Sequence, residues 1–150
     1  RLPAMIALVE GGSGFAVHRT YLRRDGIDKA GLEGGDKCML GPTRGGAVRL
    51  ASRQGPLIIG EGIETTLSAL ILHGSLRASA WAALSTSGMS GLLLPPKPGR
   101  LILAPDGDKA GRGAALALAD RAARAGWAVS ILTPPEGGDF NDLLQNGVAK

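Results

Sequence analysis

Two kinds of hydrophobic patterning divide the chain near residue 55. Ahead of it, Ala4–Val9 and Phe15–Leu22 are short apolar-rich runs on either side of Gly11-Gly12-Ser13-Gly14, and they predict two strands of a loose hairpin. Arg23 to Gly46 carries no sustained periodicity and is dominated by Gly, Asp, Lys and Pro. A plain connection is seldom so long, so a functional or partly disordered loop is expected there. Ala47–Leu50 predicts a short strand and Ser52–Pro56 a connector.

From Leu57 onward, buried-type strands alternate with helical spacing. Leu57–Ile59 runs into Gly60-Glu61-Gly62, and Ile63–Leu72 then repeats at helical intervals, with Ile63, Leu67, Leu70 and Ile71 on one side and a stop at Gly74. Ala78–Leu84 reads as a second strand, Met89–Leu93 as a short helix, and Leu101–Ala104 as a third strand. Lys109–Ala125 is an Ala-rich helix with Ala115, Leu118, Ala119 and Ala122 inward and Arg112, Arg121 and Arg124 outward, capped by Gly126. Trp127–Leu132 predicts a fourth strand and Phe140–Leu144 a short terminal helix. This alternation implies an α/β core with a parallel sheet and helices on its faces, over residues 55–150. Residues 1–54 stand outside it as a small β-rich subdomain.

Composition narrows the class. The 150 residues suffice for one domain, and 44% hydrophobic with 20% charged residues is an ordinary globular balance. Aromatic residues make up only 3%, so Ala, Leu, Ile and Val must build the core. That argues against a β-sandwich and against aromatic platforms for stacking bases. The single cysteine, Cys38, excludes an internal disulfide and a Cys-rich zinc site. No segment approaches the ~20 apolar residues that span a bilayer. The apolar start at Leu2–Val9 ends at Glu10 without a cleavage pattern, so a cytoplasmic setting and no membrane partner are expected. The sequence begins with Arg1, which suggests an excised piece of a longer protein.

Charge separates the two regions further. Residues 1–54 hold nine Lys and Arg against five Asp and Glu, whereas residues 55–150 hold eight of each. The net charge of +4 thus sits entirely in the first third. It is either a solvated basic face or the footprint of a polyanionic partner. Six of the eight later carboxylates fall in three clusters: Glu61 with Glu64, Asp106 with Asp108, and Asp139 with Asp142.

Sites on open α/β sheets form outside the carboxyl ends of the strands. Glu61 follows the first core strand, Asp106 and Asp108 the third, and Asp139 and Asp142 the fourth. Glu61 and Asp106 can meet only if their strands are neighbours. Gly107 lets the backbone bend so that Asp106 and Asp108 face one point. Carboxylates crowded on one edge repel unless protonated or neutralised, and Mg²⁺ or Mn²⁺ are the hard ions that suit oxygen ligands. Taken singly, each cluster also reads as structure: a DGD turn, a strand end with a helix cap, and Asp139 as N-cap of the last helix. Together, at three strand ends, they predict a metal site beside a basic surface, which suits phosphoryl transfer. Two other motifs fail. Ala110 stands where an EF-hand needs an oxygen ligand, and Gly111-Arg112-Gly113 lacks the Lys-Ser/Thr of a phosphate-binding loop.

The set Glu61-Gly62, Asp106-Gly107-Asp108 and Ala110-Gly111 resembles the toprim domain of bacterial, phage and plasmid-type DNA primases, over roughly residues 57–145. The resemblance implies that Glu61 is the acid/base residue and that Asp106 and Asp108 hold metal. Asp139 and Asp142 would then assist as further ligands, with Glu64 as a candidate substitute for the carboxylate usual at Thr65. The first third is similar to the subdomain preceding toprim in primases. There Arg19 of HRTYL, Lys37 of GDKCMLGP, and Arg44 and Arg49 of RGGAVRL would touch nucleic acid or nucleotide phosphates, joined by Lys109 and Arg112.

The implied function is RNA primer synthesis on a single-stranded DNA template from ribonucleoside triphosphates. A helicase and a zinc-binding module are expected outside this fragment. A toprim nuclease would use the same acids with water as attacker. A non-catalytic DNA-binding toprim module would not need them. A topoisomerase would have to use Tyr21, the only tyrosine, which sits in the basic strand.

Overall fold

The computed structural model describes residues 1–74, 77–134 and 136–148, so residues 75, 76, 135, 149 and 150 of the expected core lie outside the described residues. Strands β1 (Ala4–Val9), β2 (Ala16–Tyr21) and β3 (Lys37–Leu40) form an antiparallel sheet in that order. The hairpin follows its pattern. β3 does not: it lies within the stretch expected to be loop. Its four residues carry no period-2 signal, and cross-strand pairing of Val17 with Leu40 and Thr20 with Lys37 sets them in place.

The second sheet contains β4 (Val48–Ala51), β5 (Leu57–Gly60), β6 (Ser79–Ala82), β7 (Arg100–Ala104) and β8 (Ala128–Ile131), ordered β4-β6-β5-β7-β8. Helices α1 (Ile63–Leu72), α2 (Thr86–Gly91), α3 (Lys109–Arg124) and α4 (Phe140–Val148) flank it. β5 to β8 are parallel, as the alternation predicts. β4, expected outside the α/β core, pairs antiparallel with β6 at the sheet edge. Its chain enters from the small sheet, where Glu10 and Ala47 exchange backbone hydrogen bonds of 2.8 and 2.9 Å. The two sheets are thereby joined at one seam, with Val9, Ala16, Val48, Ile63 and Ala82 packed together beneath it.

Period-2 alternation distributes the core between two faces. Leu57, Ile59, Leu101 and Leu103 pack with Ala114, Ala115, Leu118 and Ala122 of α3, and with Met89 of α2. Ile58, Ile102 and Ala104 face the other way, against Ala69 of α1 and Phe140 of α4. The small side chains on α3 let it approach closely, which is how a core poor in aromatics still packs densely.

Helix α1 turns a different face inward from the one its apolar spacing predicts. Thr65, Thr66, Ser68 and Ala69 are buried with Ile63, while Leu67 and Ile71 are 40% and 60% exposed. Close approach decides this. A Cβ on Gly60 would lie only 3.1 Å from the Thr66 Cα, so β5 and α1 meet nearly backbone to backbone. Only short side chains fit that contact. Their hydroxyls are satisfied locally: Thr66 Oγ1 donates to the Gly62 carbonyl at 2.6 Å, and Ser68 Oγ lies 3.4 Å from Asn141 Oδ1.

Candidate functional site

Strands β5 and β7 are hydrogen-bonded neighbours, with Gly60 level with Ala104, so Glu61 and Asp106 emerge side by side from their carboxyl ends. Glu61 is buried, and its Oε1 accepts the Asp106 backbone N–H at 3.3 Å. Gly111 is required here. A Cβ at this position would run into Glu61 Oε1 and the Asp106 carbonyl, so the first turn of α3 can lie over the acid only without a side chain.

Asp139 reaches the same rim by a backbone clasp. Gly107 N–H donates to the Gly138 carbonyl at 2.8 Å and Gly137 N–H to the Gly107 carbonyl at 3.2 Å, tying the segment after β8 to the DGD turn. The Thr65 hydroxyl of α1 lies 3.4 Å from Asp139 Oδ2. Glu61, Thr65, Asp106, Asp108 and Asp139 therefore share one edge.

Electrostatics record the crowding. Burial raises the Glu61 carboxyl above its ordinary range, and the charge of Asp106 raises it further. Burial raises Asp106 too, helped by Asp139 and Asp108, while Thr65 and Lys37 partly oppose the rise. Asp106 Oδ1 is buried without a hydrogen-bond partner. Mutually repelling carboxylates with an orphaned oxygen are a donor set suited to a hard divalent cation. Among the described residues, however, no three acidic side chains converge on one point. The reason is local: two of the clusters also cap helices. Asp108 Oδ1 accepts the Gly111 N–H of α3 at 2.6 Å. Asp139 and Asp142 cap α4 reciprocally, Asp142 N–H to Asp139 Oδ1 at 2.8 Å and Asp139 N–H to Asp142 Oδ2 at 3.2 Å.

The remaining residues singled out in the sequence divide by position. Glu64 points to the small sheet, where Lys37 and Lys29 hold it at 3.2 and 3.3 Å. Burial would raise its carboxyl, but its own backbone N–H and the two lysines outweigh that and hold it below the ordinary range. The positive charge of Lys37, paired with Glu64, also acts on Asp106. Arg19 lies on the opposite face of the small sheet, its guanidinium 5.7 Å from the Tyr21 ring centroid. Arg49 stacks 4.8 Å over Trp81. Neither is brought to the carboxylates. Arg44 borders a separate cleft, Lys109 is exposed at the start of α3, and the Arg112 guanidinium donates to the Gly107 carbonyl, bracing the DGD turn.

Sequence reasoning did not single out His18 and Thr20. They alternate inward along β2 and are each only 3% exposed, on the sheet face that carries Lys37. Burial lowers the His18 imidazole, and Lys37 lowers it further. The alternation of HRTYL was the available signal.

Comparison with known proteins follows the two regions. A family model described as Toprim domain matches residues 56–149, and one described as a domain of unknown function matches residues 1–50. No curated protein matches the chain. Among solved structures, a DNA primase domain from Pseudomonas aeruginosa is similar at TM-score 0.53 and 22% identity, over 95% of this chain and 47% of that one. The primase fragment of the bacteriophage T7 primase-helicase gives 0.53 and 16%, over 96% and 62%. The zinc-binding and RNA polymerase domains of the Aquifex aeolicus primase give 0.56 and 18%, over 94% and 36%. This chain thus spans between about a third and two thirds of those proteins, and the likeness to them is one of fold. No described helix is long and apolar enough to cross a membrane. With the family model covering the four parallel strands of the larger sheet and the carboxylate rim at their ends, the chain belongs to the Toprim domain family.

Proposed function

We propose that residues 1–150 are the catalytic core of a DNA primase, joining ribonucleotides on a single-stranded DNA template. One observation carries the reading: Glu61 and Asp106 meet at the ends of adjacent parallel strands, where the Glu61 carboxylate accepts the Asp106 backbone N–H. In the reaction the 3′-hydroxyl oxygen of the growing strand bonds to the α-phosphorus of the incoming nucleotide. The bond from that phosphorus to the bridging oxygen breaks, and pyrophosphate leaves. Glu61 takes the hydroxyl proton. Its raised carboxyl gives it a basicity closer to the working pH than an ordinary glutamate has.

Asp106, Asp108 and Asp139 are the residues that would hold Mg²⁺ or Mn²⁺. When bound, such an ion offsets charge on the attacking and leaving oxygens. Lys37 and Lys109 would meet phosphates beside the rim. Arg19 and Arg49 would act away from it, on nucleic acid passing over the small sheet and its seam, whereas Arg112 would act at the rim by bracing Gly107. On this reading residues 1–54 deliver nucleic acid to the core of residues 55–150. A helicase and a zinc-binding module lie elsewhere in a longer cytoplasmic protein.

The test incubates the chain with single-stranded DNA, Mg²⁺ and labelled ribonucleoside triphosphates, with and without the protein's own flanking segments. Primers made by the native sequence and lost in Glu61→Gln and Asp106→Asn are the expected result. Synthesis surviving Asp106→Asn overturns the role given to the rim. Cleavage of labelled DNA with Mg²⁺ and no nucleotides would instead make the domain a nuclease.

A further inference from the structure

Charge on the α/β core cancels in sum but not in space. Seven of its eight acids follow the carboxyl ends of strands, and the eighth, Asp120, is paired with Arg124 at 2.8 Å. The opposite edge of the larger sheet is basic. Arg53 precedes β5, Arg77 precedes β6, and Lys97 and Arg100 lead into β7, all four exposed. Residues 37–60 and 65–105 contain no Asp or Glu. Among the described residues, none of the four cations is in an ion pair. We infer that this amino-terminal edge is a track for single-stranded DNA, separate from the carboxylate rim. The track rests on the reading of single-stranded DNA as partner and takes nothing from the nucleotidyl chemistry.

Backbone contacts build the edge. Arg53 N–H donates to Ser79 Oγ at 3.0 Å, and that hydroxyl donates to the Arg53 carbonyl at 2.9 Å. A Cβ on Gly55 would run into the Arg77 carbonyl, so the segments before β5 and β6 lie against each other. Beside them opens a hollow of about 200 Å³ lined by Ser79, Trp81, Lys97, Arg100 and Trp127. Aromatic residues are too scarce for a platform across a sheet, yet both tryptophans of the chain line this one hollow. Trp81 also borders a second hollow of about 300 Å³, and Arg49 stacks 4.8 Å over its ring.

The combination selects an unpaired strand. Cations left without carboxylate partners favour a polyanion. Indole rings among them offer a π surface to unstacked bases, whereas a duplex keeps its bases inside and would leave the rings unused. Position agrees. β6, β5 and β7 are successive neighbours about 4.8 Å apart, so the cations are spread over about 10 Å of edge as a row. The four residues of β5, about 13 Å of strand, separate that row from Glu61. Arg49 is level with Trp81 on the adjacent strand and continues the track to the seam between the two sheets.

The test titrates the metal-free chain with a short oligothymidylate and follows tryptophan fluorescence, while the anisotropy of an end-labelled oligonucleotide reports total binding. Because both tryptophans line the hollow, their quenching reports this surface. Quenching is expected, with an affinity that falls as salt rises. Replacing Lys97→Ala together with Arg100→Ala removes two phosphate contacts and should make the slope of log affinity against log salt shallower by about 1.4. The track is overturned if the oligonucleotide binds without quenching, if it does not bind, or if the double variant keeps the native slope. Polyglutamate quenching as strongly at equal charge also overturns it, and the surface then takes an acidic protein. Primers made by a chain that shows no quenching overturn the track alone. Quenching in a chain that makes no primers supports the track and counts against the proposed activity only.

Discussion

Replacing Asp106 with asparagine should make the metal-free protein more stable at neutral pH while removing its capacity for metal. Asp106 is partly buried among Asp108, Asp139 and Glu61, and its Oδ1 has no partner. An unpaired buried acceptor costs about 1–3 kcal/mol, more when charged. Asparagine removes the charge and offers an N–H to the neighbouring carboxylates. Because Asp106 retains some exposure, a gain of about 1 kcal/mol is expected, or ~3 °C in Tm at this chain length. The pH dependence has a definite sign. A carboxyl raised in the folded state holds its proton more tightly there than in the unfolded chain. The native protein therefore loses stability as pH climbs from about 4 through the raised value, whereas the asparagine variant does not. Thermal unfolding followed by circular dichroism across that range should show the two curves together in acid and the variant above at neutral pH. Adding Mn²⁺ should reverse the order, since a ligand at a hundredfold excess over its Kd stabilises by about 2.7 kcal/mol only where it binds. A variant less stable than the native chain at neutral pH, or a gap unchanged in acid, refutes the picture of a strained acidic rim.

Other perturbations probe the supporting structure. Gly111→Ala puts a Cβ against Glu61 Oε1 and should cost about 1–3 kcal/mol in urea unfolding, with primer synthesis falling further than stability. Leu118→Ala removes a fully buried side chain between α3 and the sheet and should cost about 2–5 kcal/mol, with no effect on metal affinity once folded. Glu64→Gln breaks two partly exposed ion pairs, so a loss below about 1 kcal/mol is expected, smaller at high salt. Because the Glu64 carboxyl is held low, that contribution is present above the ordinary carboxylate range and fades as pH falls through the lowered value. Calorimetric Mn²⁺ titration of the same variant should match the native chain. A large loss of Mn²⁺ affinity would make Glu64 a ligand after all.

Much of the site was legible because its acids sit at strand ends, and strand ends are marked locally. Glu61 follows an apolar run, Asp106 follows another, and the DGD and GGDFND turns are punctuated by glycine. The choice among Glu64, Thr65 and their neighbours was not legible. Both lie on the first turn of α1, and which one faces the rim depends on how α1 seats on Gly60. The structure seats it with Thr65 toward Asp139 and Glu64 toward Lys29 and Lys37. The basic residues divided for a similar reason. Side chains on a strand alternate between faces, so Arg19 and the His18 beside it necessarily point apart.

What the amino-acid order determined alone is the sequence of strands and helices from residue 57 onward, because periodicity and glycine stops act within a turn or two of chain. The seams belong to the tertiary structure. β3 exists because β2 offers it a pairing edge, and β4 lies in the large sheet because β6 does. Asp139 reaches Asp106 because Gly137 and Gly138 bond to Gly107 across some thirty residues. Each of these is a contact between segments distant along the chain, and a local pattern carries no record of which distant partner will satisfy it.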